Sequence, residues 1–447
     1  MSPELISILV LAAMFVIATV FPINIGILAF VAAFILGGTL AGMDGETVLG
    51  GFPGELAVTL IGITFLFAMA QNNGTIDWLV RVAVRSVRGR LIAIPWVMFA
   101  IAGVLTAFGA VSPAAVAIIA PVALGFAYRF QINPLLMGIM VVHGAQAGGF
   151  SPISIYGTIT NGVVDRAGLP GSPLTLFLAS LLFNLAIAVV GFFLFGGVGL
   201  IRRRTHELDW EEQGTDRTEA ADGGSPSAGT AGGGTATATE APAAPTTLKP
   251  TPYQLLTLVG LLGLGVATLV FELDVGLVAL TVALVLALVS PQSQKSAIHH
   301  ISWPVVLLIS GVLTYVAVLE ELGTIEYASN SVASVGSAYL AALLLCYVGA
   351  IVSAFASSTA LLGAIIPLAV PFLQEGTLGA VAVVAALAVS STVVDVSPFS
   401  TNGAIVLANA AEEDEERVYK QLLAFGAAVV AIAPLVAWGV LVVPGWL

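Results

Sequence analysis

The sequence predicts an all-α polytopic membrane protein: two inverted repeats of five spans, each with a re-entrant hairpin and a broken helix. Three observations carry that prediction. First, 58% of the 447 residues are hydrophobic and 9% are charged, where soluble domains carry about a quarter charged residues. Mean hydropathy is +1.04. Second, a polar motif recurs at an offset of 246 residues: Ser151-Pro152-Ile153-Ser154-Ile155-Tyr156-Gly157 and Ser397-Pro398-Phe399-Ser400-Thr401-Asn402-Gly403 share the pattern S-P-x-S-x-x-G. Third, when the spans are threaded through a bilayer, 13 of the 14 Lys and Arg residues fall on one side, as the positive-inside rule requires.

The spans follow in order. Residues 1–22 lack a basic leader and a small-residue cleavage site and read as a first span over roughly 4–21 rather than a signal peptide. A second span covers about 24–43 and a third about 55–72. Trp78 to Arg90 is a basic amphipathic stretch with Arg81, Arg85 and Arg88 on one helical face, the pattern of an interfacial helix. Two short apolar arms fill 91–129, joined at Gly109-Ala110-Val111-Ser112-Pro113, and read as a re-entrant hairpin. A span over 134–168 is broken near Gly148 to Gly157, and 172–200 is a long closing span.

Segment 205–250 is rich in Gly, Ala, Thr, Ser, Pro and acid and reads as a flexible linker between repeat 1 (1–204) and repeat 2 (251–447). The second half repeats the order of the first. Its spans cover about 252–271, 274–290 and 303–321, with a short helix near 324–336. The hairpin covers 338–373, with its tip at Ser357-Ser358-Thr359. The broken span is 377–411 and the last span 420–443. The offset of 246 also carries Ser112 onto Ser358 and Pro121 onto Pro367. An offset of 249 carries Gly74-Thr75-Ile76-Asp77 onto Gly323-Thr324-Ile325-Glu326 and Gly62 onto Gly311. Five crossings per half make the halves inverted. Both termini then lie outside and the linker in the cytoplasm, leaving Arg166 as the one cation outside.

Net charge is −12, but 13 of the 26 acids are confined to the linker and to the run Glu412–Glu416. This is no surface for a basic partner, and no nucleic-acid partner is expected. The one cysteine, Cys346, cannot form an intrachain disulfide. There is no G-x-x-x-x-G-K-[ST] loop for ATP, no H-E-x-x-H and no cysteine cluster for a metal. An intramembrane protease would need a G-x-S-x-G-like nucleophile or two facing aspartates, and the sequence offers neither. The chain therefore reads as a carrier rather than an enzyme.

Irregular backbone at membrane depth survives only where it lines a cavity or binds something. Pro152 and Pro398 each remove a backbone donor. Each break frees carbonyls that suit a small cation and helix N-termini that suit an anion. Two breaks at matching places in two halves mark a secondary transporter with its site at the repeat interface. Asp395 is the only formal charge between Gly376 and Ala411. A carboxylate at that depth must be paired, protonated or bound to a cation, so Asp395 reads as a cation ligand or a proton-coupling group. His143, eight residues before Ser151, reads either as a titrating or substrate-facing group or as a packing residue.

On these motifs the chain resembles the MatC-type dicarboxylate (malonate) carriers. More broadly, it is similar to the divalent-anion/sodium symporters of the ion-transporter superfamily. The likeness covers nearly the whole chain except linker 205–250. It implies an elevator mechanism in a homodimer within the cell inner membrane, with the first three spans of each repeat forming a static scaffold. It also implies Na⁺ as the coupling ion, with H⁺ as the alternative. Ser151-Pro152 and Ser397-Pro398 match the family's Thr/Ser-Pro cation loops. The family's tip asparagine is absent from Ser112-Pro113-Ala114 and from Ser358-Thr359-Ala360.

The resemblance suggests one cation site from Ser112 with Gly149, Ser151 and Ser154, and another from Ser358 with Asp395, Ser397 and Ser400. A small organic dianion would lie between the tips, against Ser112, Pro113, Ser154, Ser358, Thr359, Ser400, Thr401 and Asn402. A cation/proton antiporter of the same superfamily, using Asp395, is the alternative reading.

Overall fold

The computed structural model describes residues 2–21, 23–85, 90–200, 249–324, 327, 337–354, 358–374 and 378–445. The described residues are helical and contain no β-strand. The first half runs α1 (Pro3–Val20), α2 (Ile25–Thr39), α3 (Gly45–Gly50), α4 (Gly54–Asn72), α5 (Thr75–Arg85), α6 (Ala93–Ala107), α7 (Ser112–Phe130), α8 (Pro134–Gly148), α9 (Ile155–Arg166), α10 (Pro173–Leu194) and α11 (Gly197–Leu200). The second runs α12 (Pro252–Leu269), α13 (Val275–Val289), α14 (Pro291–His299), α15 (Trp303–Glu321), α16 (Ala338–Ser353), α17 (Ser358–Gln374), α18 (Ala380–Thr392), α19 (Thr401–Ala408) and α20 (Glu415–Ala437), which ends in a π-helical turn, Trp438–Val442.

Six helices among the described residues are long and apolar enough to cross a membrane, and seven shorter apolar helices accompany them. The chain is a multi-pass membrane protein. Large apolar side chains such as Phe34, Leu194 and Leu288 stand exposed on the outer helices, where lipid is their solvent.

Local chemistry sets the helix starts. Asn24, Asn133, Ser172 and Asp274 each accept a hydrogen bond from a first-turn amide, and Thr251 with Gln254 forms a reciprocal capping box. The predicted spans are present, with three differences. Short helices α3 and α14 occupy stretches between the predicted spans, because runs of six and nine residues are too short for a clear apolar period. The basic helix begins at Thr75 rather than Trp78, since Asn73 Oδ1 accepts from the Thr75 amide. The closing span 172–200 is interrupted where Gly196 adopts φ +92°, a conformation that ends α10. The linker, except its last two residues, lies outside the described residues, as do Arg88, Ser357 and most of the expected helix near 324–336.

The packing is reciprocal between the halves. Helix α2 lies against α15, and α4 against α13; α7 touches α19, and α17 touches α9. Two glycine pairs allow the first two contacts. A Cβ on Gly311 would sit 2.0 Å from the Gly26 carbonyl oxygen, and one on Gly62 would sit 2.6 Å from that of Gly276. Hydrocarbon offers no hydrophobic drive between helices, so close backbone approach at small residues supplies dispersion contact instead. Polar bonds follow the same reciprocity. Asn73 Nδ2 donates to Thr257 Oγ1 at 2.7 Å, and the Ser7 and Thr324 hydroxyls lie 2.8 Å apart.

Candidate functional site

Each break is a compact turn closed by its second serine. The Ser154 hydroxyl lies within hydrogen-bonding distance of the Gly149 and Ser151 carbonyl oxygens and accepts from the Gly157 amide, capping α9. The Ser400 hydroxyl does the same with the Asp395 and Ser397 carbonyls and the Gly403 amide, capping α19. The glycine that ends each motif lies over its turn. A Cβ there would come within 2.0 Å of the Ser151 oxygen or 1.9 Å of the Ser397 oxygen. The first serine of each motif bonds the amide two residues on, Ile153 or Phe399. Thus S-P-x-S-x-x-G encodes one hydrogen-bonded turn, built twice.

Both described hairpin tips end inside the protein, with Ser112 and Ser358 each 2% exposed. Ser112 Oγ accepts a hydrogen bond of 2.8 Å from Nδ2 of Asn402, in the second half. The other Asn402 Nδ2 hydrogen goes to Asp395 Oδ2 at 2.9 Å, and Gln146 Nε2, from the first half, donates to that same oxygen at 2.8 Å. The Ser358 hydroxyl faces the Asp395 carboxyl and lies 2.9 Å from that of Ser353. The Tyr156 phenol lies among Ser112, Gln146, Thr359 and Asp395. Tips and breaks of both halves therefore meet in one polar cluster centred on Asp395.

The remaining expected residues fall around this centre. Gly149 lines a small void with Ala110, Ser112, Ile155 and Tyr156 that offers no room for a water molecule. Ser151 and Ser397 are buried in their turns, Pro113 is half-buried on the first turn of α7, and Thr401 is exposed. His143 is fully buried one helical turn from Gln146. Its Nδ1 meets Asn184 Oδ1 at 2.9 Å, Asn184 in turn bonds Ser180, and the Ser180 hydroxyl donates to the Gln146 carbonyl at 3.0 Å.

Sequence reasoning passed over Gln146 and Tyr156. Gln146 left a usable signal: with His143, it is one of two polar side chains at i, i+3 in a helix buried along its whole length. Tyr156 sits at a variable position of the repeated motif.

Asp395 is 3% exposed. Among the described residues the ion pairs are confined to exposed Arg417–Asp414 and Lys420–Glu416, so no cation neutralises it. Two amide donors on one oxygen offset part of the several kcal/mol that a buried carboxylate costs. A small cation or a proton at this point would offset the rest.

Residues 1–149 match the family described as dicarboxylate carrier protein MatC N-terminus, and residues 266–446 match the citrate transporter family. The chain is a secondary transporter. The resemblance to MatC-type carriers read from the motifs thus holds over the N-terminal region, and neither match is to an enzyme family. Among solved structures, the YdaH transporter of Alcanivorax borkumensis, reported to have an unusual topology, is similar over 98% of both chains, with TM-score 0.57 and 14% identity. At that identity the likeness is one of fold. A comparison with curated proteins returns no match.

Proposed function

We propose that this transporter carries a small organic dianion, a dicarboxylate such as malonate or a C4 acid, together with a coupling cation. The observation that carries the reading is Asp395: a buried carboxylate without a cationic partner among the described residues, at the one point where both tips and both breaks converge. No Lys or Arg side chain is found in the cluster among the described residues, so a dianion there needs charge compensation from bound cation, helix N-termini and hydroxyls. The names of the matching families, dicarboxylate carrier and citrate transporter, supply the substrate class. Na⁺ is the favoured coupling ion, with H⁺ on Asp395 as the alternative.

The void beside Ser112 and Tyr156 has no room for solute, so the tips must part for the dianion to enter. Reciprocal packing of α2 on α15 and α4 on α13 suits two inverted repeats forming a fixed scaffold, with the tips, broken helices and closing helices moving as an elevator. A homodimer in the cell inner membrane, with both termini outside, completes the proposal.

Uptake of radiolabelled malonate or succinate into proteoliposomes tests it, with Na⁺ and pH gradients imposed separately. Acceleration by one gradient is expected. Uptake indifferent to both would sink the symport reading, and Na⁺-driven proton movement without anion uptake would favour an antiporter.

A further inference from the structure

Two buried oxygen atoms beside Asp395 have no hydrogen-bond partner among the described residues. Gln146 Oε1 and Asn402 Oδ1 make no hydrogen bond among the described residues, although their own amide nitrogens both bind Asp395 Oδ2. An unbonded carbonyl oxygen in a dry interior normally costs about 1–3 kcal/mol. Here two such oxygens flank one carboxylate, one from each half of the chain.

We propose that Gln146, Asn402 and Asp395 form a single Na⁺ site shared by the two halves, in which the two amides stand in for the cation while it is absent. This rests on the reading of the chain as a cation-coupled carrier. Without Na⁺ the two N–H donors hold the carboxylate. When Na⁺ arrives, each carboxamide turns over about its last torsion, which is soft, and presents its carbonyl oxygen. Hard cations take oxygen ligands of this kind.

Ser180 holds the Gln146 backbone carbonyl, and the side chain that turns lies against the Tyr156 phenol, which can accept from its amide or donate to its carbonyl oxygen. The Ser112 hydroxyl that accepts from Asn402 Nδ2 can donate to Oδ1 instead, because a hydroxyl does both. The contact between tip and broken helix then survives the exchange. One carboxylate selects a monovalent ion, since a divalent one would leave uncompensated positive charge at membrane depth. The amides also keep the empty carrier from exposing a bare carboxylate to hydrocarbon as it returns.

Thermal unfolding of the purified full chain in detergent tests the site, with NaCl against choline chloride at equal ionic strength and no dicarboxylate present. Wild type should gain stability saturably with Na⁺, and Asp395→Asn should not respond. Gln146→Glu keeps an oxygen and loses the N–H donors. It should melt lower than wild type without Na⁺ and reach half-saturation at roughly tenfold lower Na⁺, because ligand charge raises affinity. Asn402→Asp should behave alike and serves if Gln146→Glu does not fold. Gln146→Leu loses both roles. It should melt lower without Na⁺ and need roughly tenfold more Na⁺ to respond.

Two results would overturn the site: a wild type unmoved by Na⁺, or Gln146 and Asn402 variants that titrate as wild type while Asp395→Asn is silent. The assay contains no organic anion, so it separates the two proposals. A chain that carries no dicarboxylate yet shows this Na⁺ pattern keeps the site, and one that carries it without the pattern loses the site.

Discussion

Ser112 at the start of α7 is tied to Asn402 on the first turn of α19 by a hydrogen bond of 2.8 Å that spans 290 residues of sequence. The tip of one half is thereby latched to the broken helix of the other. Asn402 is also bound to Asp395, so the latch and the buried charge share one amide.

That sharing makes the two ends of the bond unequal. Ser112→Ala removes one acceptor and leaves Asn402 on Asp395, a loss of about 1 kcal/mol. Asn402→Ala strips a donor from a buried carboxylate as well and should cost about 2–4 kcal/mol. Melting of both single variants and the double variant checks this, with a coupling of at least about 0.5 kcal/mol expected between contacting residues. Equal losses from the two single variants would mean that Asn402 does not support Asp395.

Glycines offer a sharper steric test. A Cβ on Gly148 would lie 1.9 Å from the Gly103 carbonyl oxygen and 2.4 Å from Thr106 Oγ1, whereas one on Gly125 meets nothing within 4 Å. Gly148→Ala should therefore force α8 off α6 and destabilise by roughly 1–3 kcal/mol. Gly125→Ala lies inside α7 and should be neutral or gain up to about 1 kcal/mol from helix propensity. Unfolding in the same detergent ranks them, and a stable Gly148→Ala protein would mean that α6 and α8 do not pack this closely.

The spans, the two breaks and the burial of Asp395 were legible because they rest on local signals: apolar length, a proline inside an apolar run, and a lone acid where charge is costly. The partners of Asp395 were not. Gln146 lies 249 residues away from it in sequence, and nothing local marks a contact between α8 and the second break. Thr401 adjoins Asn402 in the motif, but successive residues on a helix lie about 100° apart, so Asn402 is buried and Thr401 exposed. Helices α3 and α14 escaped because tertiary packing, joined at α3 by the Asp44 cap, rather than an apolar period, holds helices of their length.

Removal of residues 210–245 should leave transport within about twofold of the full chain, because a segment this poor in large apolar side chains has little to bury. Proteoliposome uptake by the shortened chain measures it. A well-folded deletion that no longer transports would assign the segment a gating or anchoring role.

The matched turns permit a test of what their serines do. Ser154 and Ser400 each cap a helix and each lie against two carbonyl oxygens of their own turn. Hydroxyls engaged this way hold the break in shape, and a cation ligand at the same atoms would have to displace those bonds. Ser154→Ala and Ser400→Ala should each cost about 1–2 kcal/mol as lost caps, by similar amounts because the turns are alike. Their Na⁺ half-saturation should stay within about threefold of wild type, a shift of less than 0.7 kcal/mol by the tenfold-per-1.4 rule. A Ser400→Ala protein that keeps its stability but loses its Na⁺ response would make that hydroxyl a ligand. Matched losses of stability with the Na⁺ response retained would place the ion on the Asp395 carboxylate and the two amides.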